Sequence, residues 1–179
     1  DRLIQVAFQA DGKFHQAFYK PPVPITIDAM SICHITNEMV EDMPPFIGSD
    51  EFNVLSEQFK DENTVFVAHN AQFDMKFIEK EGLKLPKHHI CTLKIAHYHD
   101  KEALLVKHTL QFLRYLFGLK FGQEINPHDA MSDIIVLEKL YEYYLQFYTI
   151  EEMVEISSKP ILLKKMMFGK YKWEWFKDI

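Results

Sequence analysis

Two aspartates in this sequence stand where a helix usually carries an apolar side chain. Asp74 is in register with Phe77 and Ile78, and Asp133 with Val136, Leu137 and Leu140. Residues three and four apart share one helix face, so each carboxylate begins an apolar stripe. An unpaired carboxylate on such a stripe costs several kcal/mol or is neutralised, so a cation, a donor cluster or a metal is expected beside it. If both helices present their carboxylates to one cleft, the hard oxygens suit Mg²⁺ or Mn²⁺, the ions used in phosphodiester chemistry. The plainer alternative is two unrelated aspartates at helix starts. His128 precedes Asp133 by five residues, which on an ideal helix leaves the two side chains roughly 140° apart. To serve the same point it must lie in the loop or in a loosened first turn, where an imidazole can take a proton from water near neutral pH.

The elements that position these groups follow from periodicity. Residues 64–68, TVFVA, have the composition of a short buried strand, and residues 71–81 follow with helical spacing, so a strand-to-helix turn falls at His69-Asn70. Ligands gather at the carboxyl ends of strands in α/β sheets, because loops and helix N-termini there offer unpaired donors. Upstream, residues 3–9 and 14–20 alternate around the turn at 10–13, which predicts a β-hairpin. The prolines at 21, 22, 24, 44 and 45 bracket an irregular stretch at 25–40. A helix begins after Ser49, residues 83–89 read as a basic connector, Ile90-Cys91 as a brief strand, and 92–97 and 108–117 as helices. Asn126 and Pro127 have the chemistry of a helix start, and the apolar face that follows runs to about Phe147. Thr149 and Glu152 have capping-box spacing.

The 179 residues, 47% of them hydrophobic, suit one globular domain with a sizeable core and a short appendage. No apolar run reaches the length of a membrane span, and Cys33 and Cys91 form no C-x-x-C pair, so a reduced cytoplasmic protein is expected. The net charge of −6 argues against coating nucleic acid by bulk electrostatics and leaves room for a local groove. From Lys159 onward lysines alternate with Phe168, Tyr171, Trp173, Trp175 and Phe176, a pattern that fits a docking tail or a base-stacking surface.

The motifs as they stand match a known family. His69-Asn70-Ala71-Gln72-Phe73-Asp74 resembles the second motif of the DEDDh 3′-to-5′ exonucleases, and His128-Asp129-Ala130-Met131-Ser132-Asp133 resembles their third, H-x-A-x-x-D. This DnaQ-like family includes the proofreading epsilon subunit of bacterial DNA polymerase III. Residues 1–7, Ile35-Thr36-Asn37-Glu38-Met39-Val40, 92–96 and 108–110 are also similar, so the likeness covers most of 1–147.

The resemblance implies an α/β, ribonuclease-H-like fold, a mixed central sheet with helices on both faces, spanning residues 1–148, with 149–179 as a C-terminal helix and basic aromatic tail. Asp74 and Asp133 would hold two divalent cations, with His128 as general base on water, and Asn70 and Phe73, with His69 beside them, would place the terminal nucleotide. The implied partners are single-stranded or frayed DNA 3′ ends and DNA polymerase III subunits, with 5′-mononucleotides released. Three departures stand out. The family's first motif, D-x-E-T, belongs on a strand before the hairpin, and Asp1 is not its counterpart, so upstream residues are expected to supply it. Cys33 and His34 stand where the family's I-H-G-I-T has histidine and glycine, and the F-G-K similarity at 168–170 carries Trp173 in place of a glycine. Competing readings are an exonuclease-like domain that only grips ends or scaffolds a polymerase, an exoribonuclease, and a zinc site at His97-Tyr98-His99 with His88, His89 or His108, for which no zinc-ligand spacing is present.

Overall fold

The structure, a computed structural model, describes residues 2–122, 130–161, 165, 170, 174 and 175. β1 (Gln5–Ala10) and β2 (Lys13–Phe18) form the expected hairpin, with Asp11 and Gly12 supplying the two positive-φ positions of its turn. α1 (Ile27–Cys33) and a 3-10 turn at Glu38–Val40 lead to α2 (Asp50–Gln58), which Ser49 caps by accepting from the Phe52 amide. β3 (Val65–Ala68), α3 (Ala71–Lys80) and β4 (His88–Cys91) then make a β-α-β unit whose strands pair in parallel. α4 (Thr92–His99), α5 (Leu110–Leu116), α6 (Ala130–Tyr144) and α7 (Ile150–Ser158) complete the order. Among the described residues the pairing forms two ladders of two strands, β1–β2 antiparallel and β3–β4 parallel.

Successive side chains on β3 pack to opposite sides, as the pleat demands. Phe66 packs toward Phe59, Ile78 and Leu83, from α2 and α3 and the loops after them, whereas Val65 and Val67 pack toward Ile90, Ile95, Leu113 and Leu140 on the other side. Helices therefore cover both faces. The second side holds the deepest core, where Tyr144 of α6 and Met153 of α7 are fully buried. α7 begins with the capping box expected at Thr149 and Glu152 and lies against β4 and α4. Its Ser157 hydroxyl accepts from the buried Cys91 amide at 2.9 Å, while Lys94 Nζ donates to the Ser157 carbonyl at 2.6 Å. Ser157→Ala should leave that amide without an acceptor and lower stability by about 1–3 kcal/mol in urea unfolding; an unchanged midpoint would show that the amide finds another partner.

Two local expectations are revised. The stretch at 25–40 holds α1, because the Thr26 hydroxyl accepts from the Ala29 amide and His34 ends the helix in a left-handed conformation, φ 58°. His34 thus occupies a backbone geometry in which glycine is at ease, which explains physically why a glycine belongs there in the I-H-G-I-T segment. β4 reaches back through His88 and His89, which pair with Val65 and Phe66, so part of the expected connector is strand. Lys165 bridges to Trp175 and donates through Nζ to the Ala103 carbonyl at 2.7 Å. Asp1 and the expected helix start at Asn126-Pro127 lie outside the described residues.

Candidate active site

Asn70 ends β3 and opens α3 in a left-handed conformation, φ 69° and ψ 48°, which asparagine tolerates better than branched residues do. That turn brings four of the singled-out residues together at the carboxyl end of β3. Asn70 is exposed and makes no side-chain cap. Phe73 is 58% exposed and tilts against Phe77 with ring centroids 5.0 Å apart. Asp74, in the first turn of α3, is half-buried, and desolvation pushes its carboxyl up from the usual aspartate range to about 6, opposed only by its own backbone amide. Among the described residues no lysine or arginine offsets that charge.

His69 faces inward. Burial holds its ring well below the ordinary histidine value, at about 4, so it is neutral near pH 7. The ring meets the His108 backbone carbonyl, and Nδ1 lies 3.0 Å from the Thr92 hydroxyl. The same Thr92 hydroxyl donates to the Ala68 carbonyl at 3.4 Å, tying the end of β3 to the start of α4. These contacts join the β3–α3 turn to the start of α4 and to the approach to α5. His108 is itself fixed: its ring stacks on His97 at 3.8 Å between centroids, and Nε2 lies 3.2 Å from Asp100, whose carboxylate also accepts from the Leu104 and Leu105 amides.

Asp133 is in the first turn of α6, the helix that lies across β1 and β2 and packs on α5. Its Oδ1 accepts from Gln111 Nε2 at 2.7 Å. No hydrogen bond joins Asp74 to Asp133; the two are linked through the segment from His108 to Gln111, which touches the β3–α3 turn at one end and Asp133 at the other. His128 lies outside the described residues. Two partners escaped the reading of the sequence, Gln111 and Asp100. Gln111 is 22 residues from its aspartate, and no local pattern signals such a pair. Spacing could have drawn attention to Asp100, which caps the loop four and five residues on.

The donor chemistry fits a hard divalent cation, since two carboxylates are offered and one of them is desolvated with no lysine or arginine among the described residues to offset it. Among the described residues no three His, Cys, Asp or Glu side chains converge as a metal cluster, the histidines at 88, 89, 97, 99 and 108 included. Also among those residues, no helix is long and apolar enough to cross a membrane.

A mixed α/β fold with a carboxylate-bearing turn at the end of β3 is that of a ribonuclease-H-like protein, and the sequence profile of the exonuclease (RNase_T) family matches residues 3–141, so the chain belongs to that family. Among particular relatives, it is 28% identical over 162 residues to exodeoxyribonuclease 10 of Escherichia coli strain K12, spanning 89% of this chain and 68% of that protein. It is 34% identical over 141 residues to DNA polymerase III subunit epsilon of Buchnera aphidicola, spanning 73% of this chain and 56% of that protein. A solved structure of exonuclease X in complex with 5′ overhanging duplex DNA superposes with a TM-score of 0.62 at 25% identity, covering 86% of this chain and 88% of the other.

Proposed function

We propose that this protein is a metal-dependent 3′-to-5′ exodeoxyribonuclease that releases 5′-mononucleotides from single-stranded or frayed DNA ends in proofreading or repair. The observation that carries the reading is Asp74, a desolvated carboxylate at the carboxyl end of β3 that no lysine or arginine among the described residues neutralises. Membership of the exonuclease family supports the reaction class, and the relative solved with duplex DNA supports DNA over RNA. Bound Mg²⁺ or Mn²⁺, two ions by family resemblance, supplies Lewis-acid stabilisation of charge on the phosphodiester oxygens. Asp74 and Asp133 offer the hard oxygens that hold it. His128 accepts the proton of the attacking water, a task suited to an imidazole whose ordinary pKa is near neutrality. Phe73, exposed beside Asp74, offers a face on which the terminal base stacks, and Asn70 offers an amide to the same nucleotide. His69 serves from behind, by holding the turn that carries all three.

The exonuclease unit in this reading is residues 1–148, followed by a C-terminal helix and basic aromatic tail at 149–179, and the setting is cytoplasmic. Association with DNA polymerase III subunits is proposed from the epsilon-subunit relative alone.

The full-length protein incubated with 5′-labelled single-stranded DNA and Mn²⁺ should shorten the strand stepwise from its 3′ end, with no cleavage once EDTA is present. Binding of the strand without shortening would favour the end-gripping scaffold, and degradation of RNA alone would make it an exoribonuclease.

A further inference from the structure

We propose that Gln111 is a positioning residue for the metal-binding carboxylate of Asp133, and that Arg114 sets the direction of its amide; this rests on the reading of Asp133 as a metal ligand. Gln111 Nε2 donates to Asp133 Oδ1 at 2.7 Å, and Gln111 Oε1 accepts from Arg114 Nη1 at 3.2 Å. A primary amide can face either way, but here its partners decide. A guanidinium only donates and a carboxylate only accepts, so the oxygen must point to Arg114 and the nitrogen to Asp133. Arg114 is in turn steadied by the rings of Tyr115 and Phe121, each 5.0 Å from its guanidinium carbon.

The choice of a neutral donor matters. A lysine or arginine at 111 would pair with Asp133 and compete with a divalent cation for its charge. An amide N–H occupies one lone pair of Oδ1, fixes the carboxylate plane, and leaves the charge and Oδ2 to a cation. Hydrogen bonds of this kind to ligating side chains set ligand orientation, and their loss typically weakens metal affinity about 10- to 100-fold. The bond also crosses from α5 to α6. The segment that holds Asp133 through Gln111 is the one whose His108 carbonyl meets the His69 ring, so it contacts both the β3–α3 turn and α6.

The test is Mn²⁺ binding to the metal-free, full-length protein, followed by paramagnetic resonance, with Gln111→Met, Arg114→Met and Asp133→Asn beside the wild type. Gln111→Met keeps the length and helix preference of the side chain and removes only its polar atoms. It should weaken Mn²⁺ binding roughly 10- to 100-fold while the metal-free protein keeps the circular dichroism of the wild type. Raising Mn²⁺ should then restore its nuclease rate, which a merely structural defect would not allow. Arg114→Met frees the amide to turn and should weaken binding in the same direction by less; should Gln111→Met fail to fold, this variant decides. Wild-type Mn²⁺ affinity in Gln111→Met, with weakened affinity in Asp133→Asn, would overturn the positioning role alone. Wild-type affinity in Asp133→Asn as well would remove the metal-ligand reading, and this proposal with it.

Discussion

Asp74→Asn and Asp133→Asn should each lower the rate of nucleotide release by at least about a hundredfold at saturating Mn²⁺, the scale on which a single preorganised electrostatic group acts in a nuclease-type site. Both substitutions keep the side-chain shape. Asparagine offers one neutral oxygen and an amino group, which repels a cation and cannot replace a carboxylate as a hard ligand. Neither change removes a packing contact, because the apolar stripes under the two residues, Ile78 on α3 and Val136 and Leu140 on α6, are untouched. Circular dichroism should therefore match the wild type. The check is single-turnover shortening of a 5′-labelled strand by the full-length protein. Either variant retaining more than a tenth of the wild-type rate would exclude that residue as a metal ligand.

The second large effect has the opposite sign. Burial raises the Asp74 carboxyl from 3.8 to about 6, above its value in the unfolded chain. Between those values the folded protein binds more protons than the unfolded one, so stability falls as pH rises through that window, and the whole penalty is present above about pH 7. A shift of this size corresponds to about 2–3 kcal/mol. In metal-free protein Asp74→Asn should thus be more stable than wild type at pH 7.5 by up to that amount, and equal to it near pH 4. Adding Mn²⁺ should stabilise the wild type at pH 7.5 and leave the variant where it was. Urea unfolding at the two pH values, with and without the ion, gives all four numbers. Equal stabilities at both pH values would mean that the Asp74 charge is not held uncompensated in the fold. One substitution that removes activity and adds stability is the signature of a carboxylate kept for chemistry at the expense of the fold.

Glu81 behaves as an ordinary structural group. Glu81 at the end of α3 is 4% exposed yet paired, accepting from Arg2 Nε and Nη2 at 2.9 and 2.7 Å and from the Leu3 amide. Those bonds hold its carboxyl below the usual range, so its contribution is present at neutral pH and is lost as pH falls through that lowered value. Asp74 contrasts with it: Arg2 pairs with the carboxylate that ends α3, whereas among the described residues no lysine or arginine offsets the one in its first turn.

Much of this was legible in residue order, because local chemistry fixes it. Alternation with a Asp11-Gly12 turn gives the hairpin, β-branched residues before a helical period give the β3–α3 turn, and Thr149 with Glu152 gives the start of α7. The same periodicity exposed Asp74 and Asp133 as carboxylates on apolar faces. Tertiary structure alone decided the rest. His88 and His89 are strand because parallel pairing with Val65 and Phe66 overrides the polarity of a basic connector. His69 turns inward because the Thr92 hydroxyl and the His108 carbonyl meet its ring, and neither is near it in sequence. The partner of Asp133 is a glutamine on another helix, 22 residues away. Spacing along a chain specifies which face a side chain takes, since helix and strand periods are properties of the local backbone. Which groups meet across elements depends on how those faces pack, and that is where the charge of Asp74 is left uncompensated and the carboxylate of Asp133 is aimed.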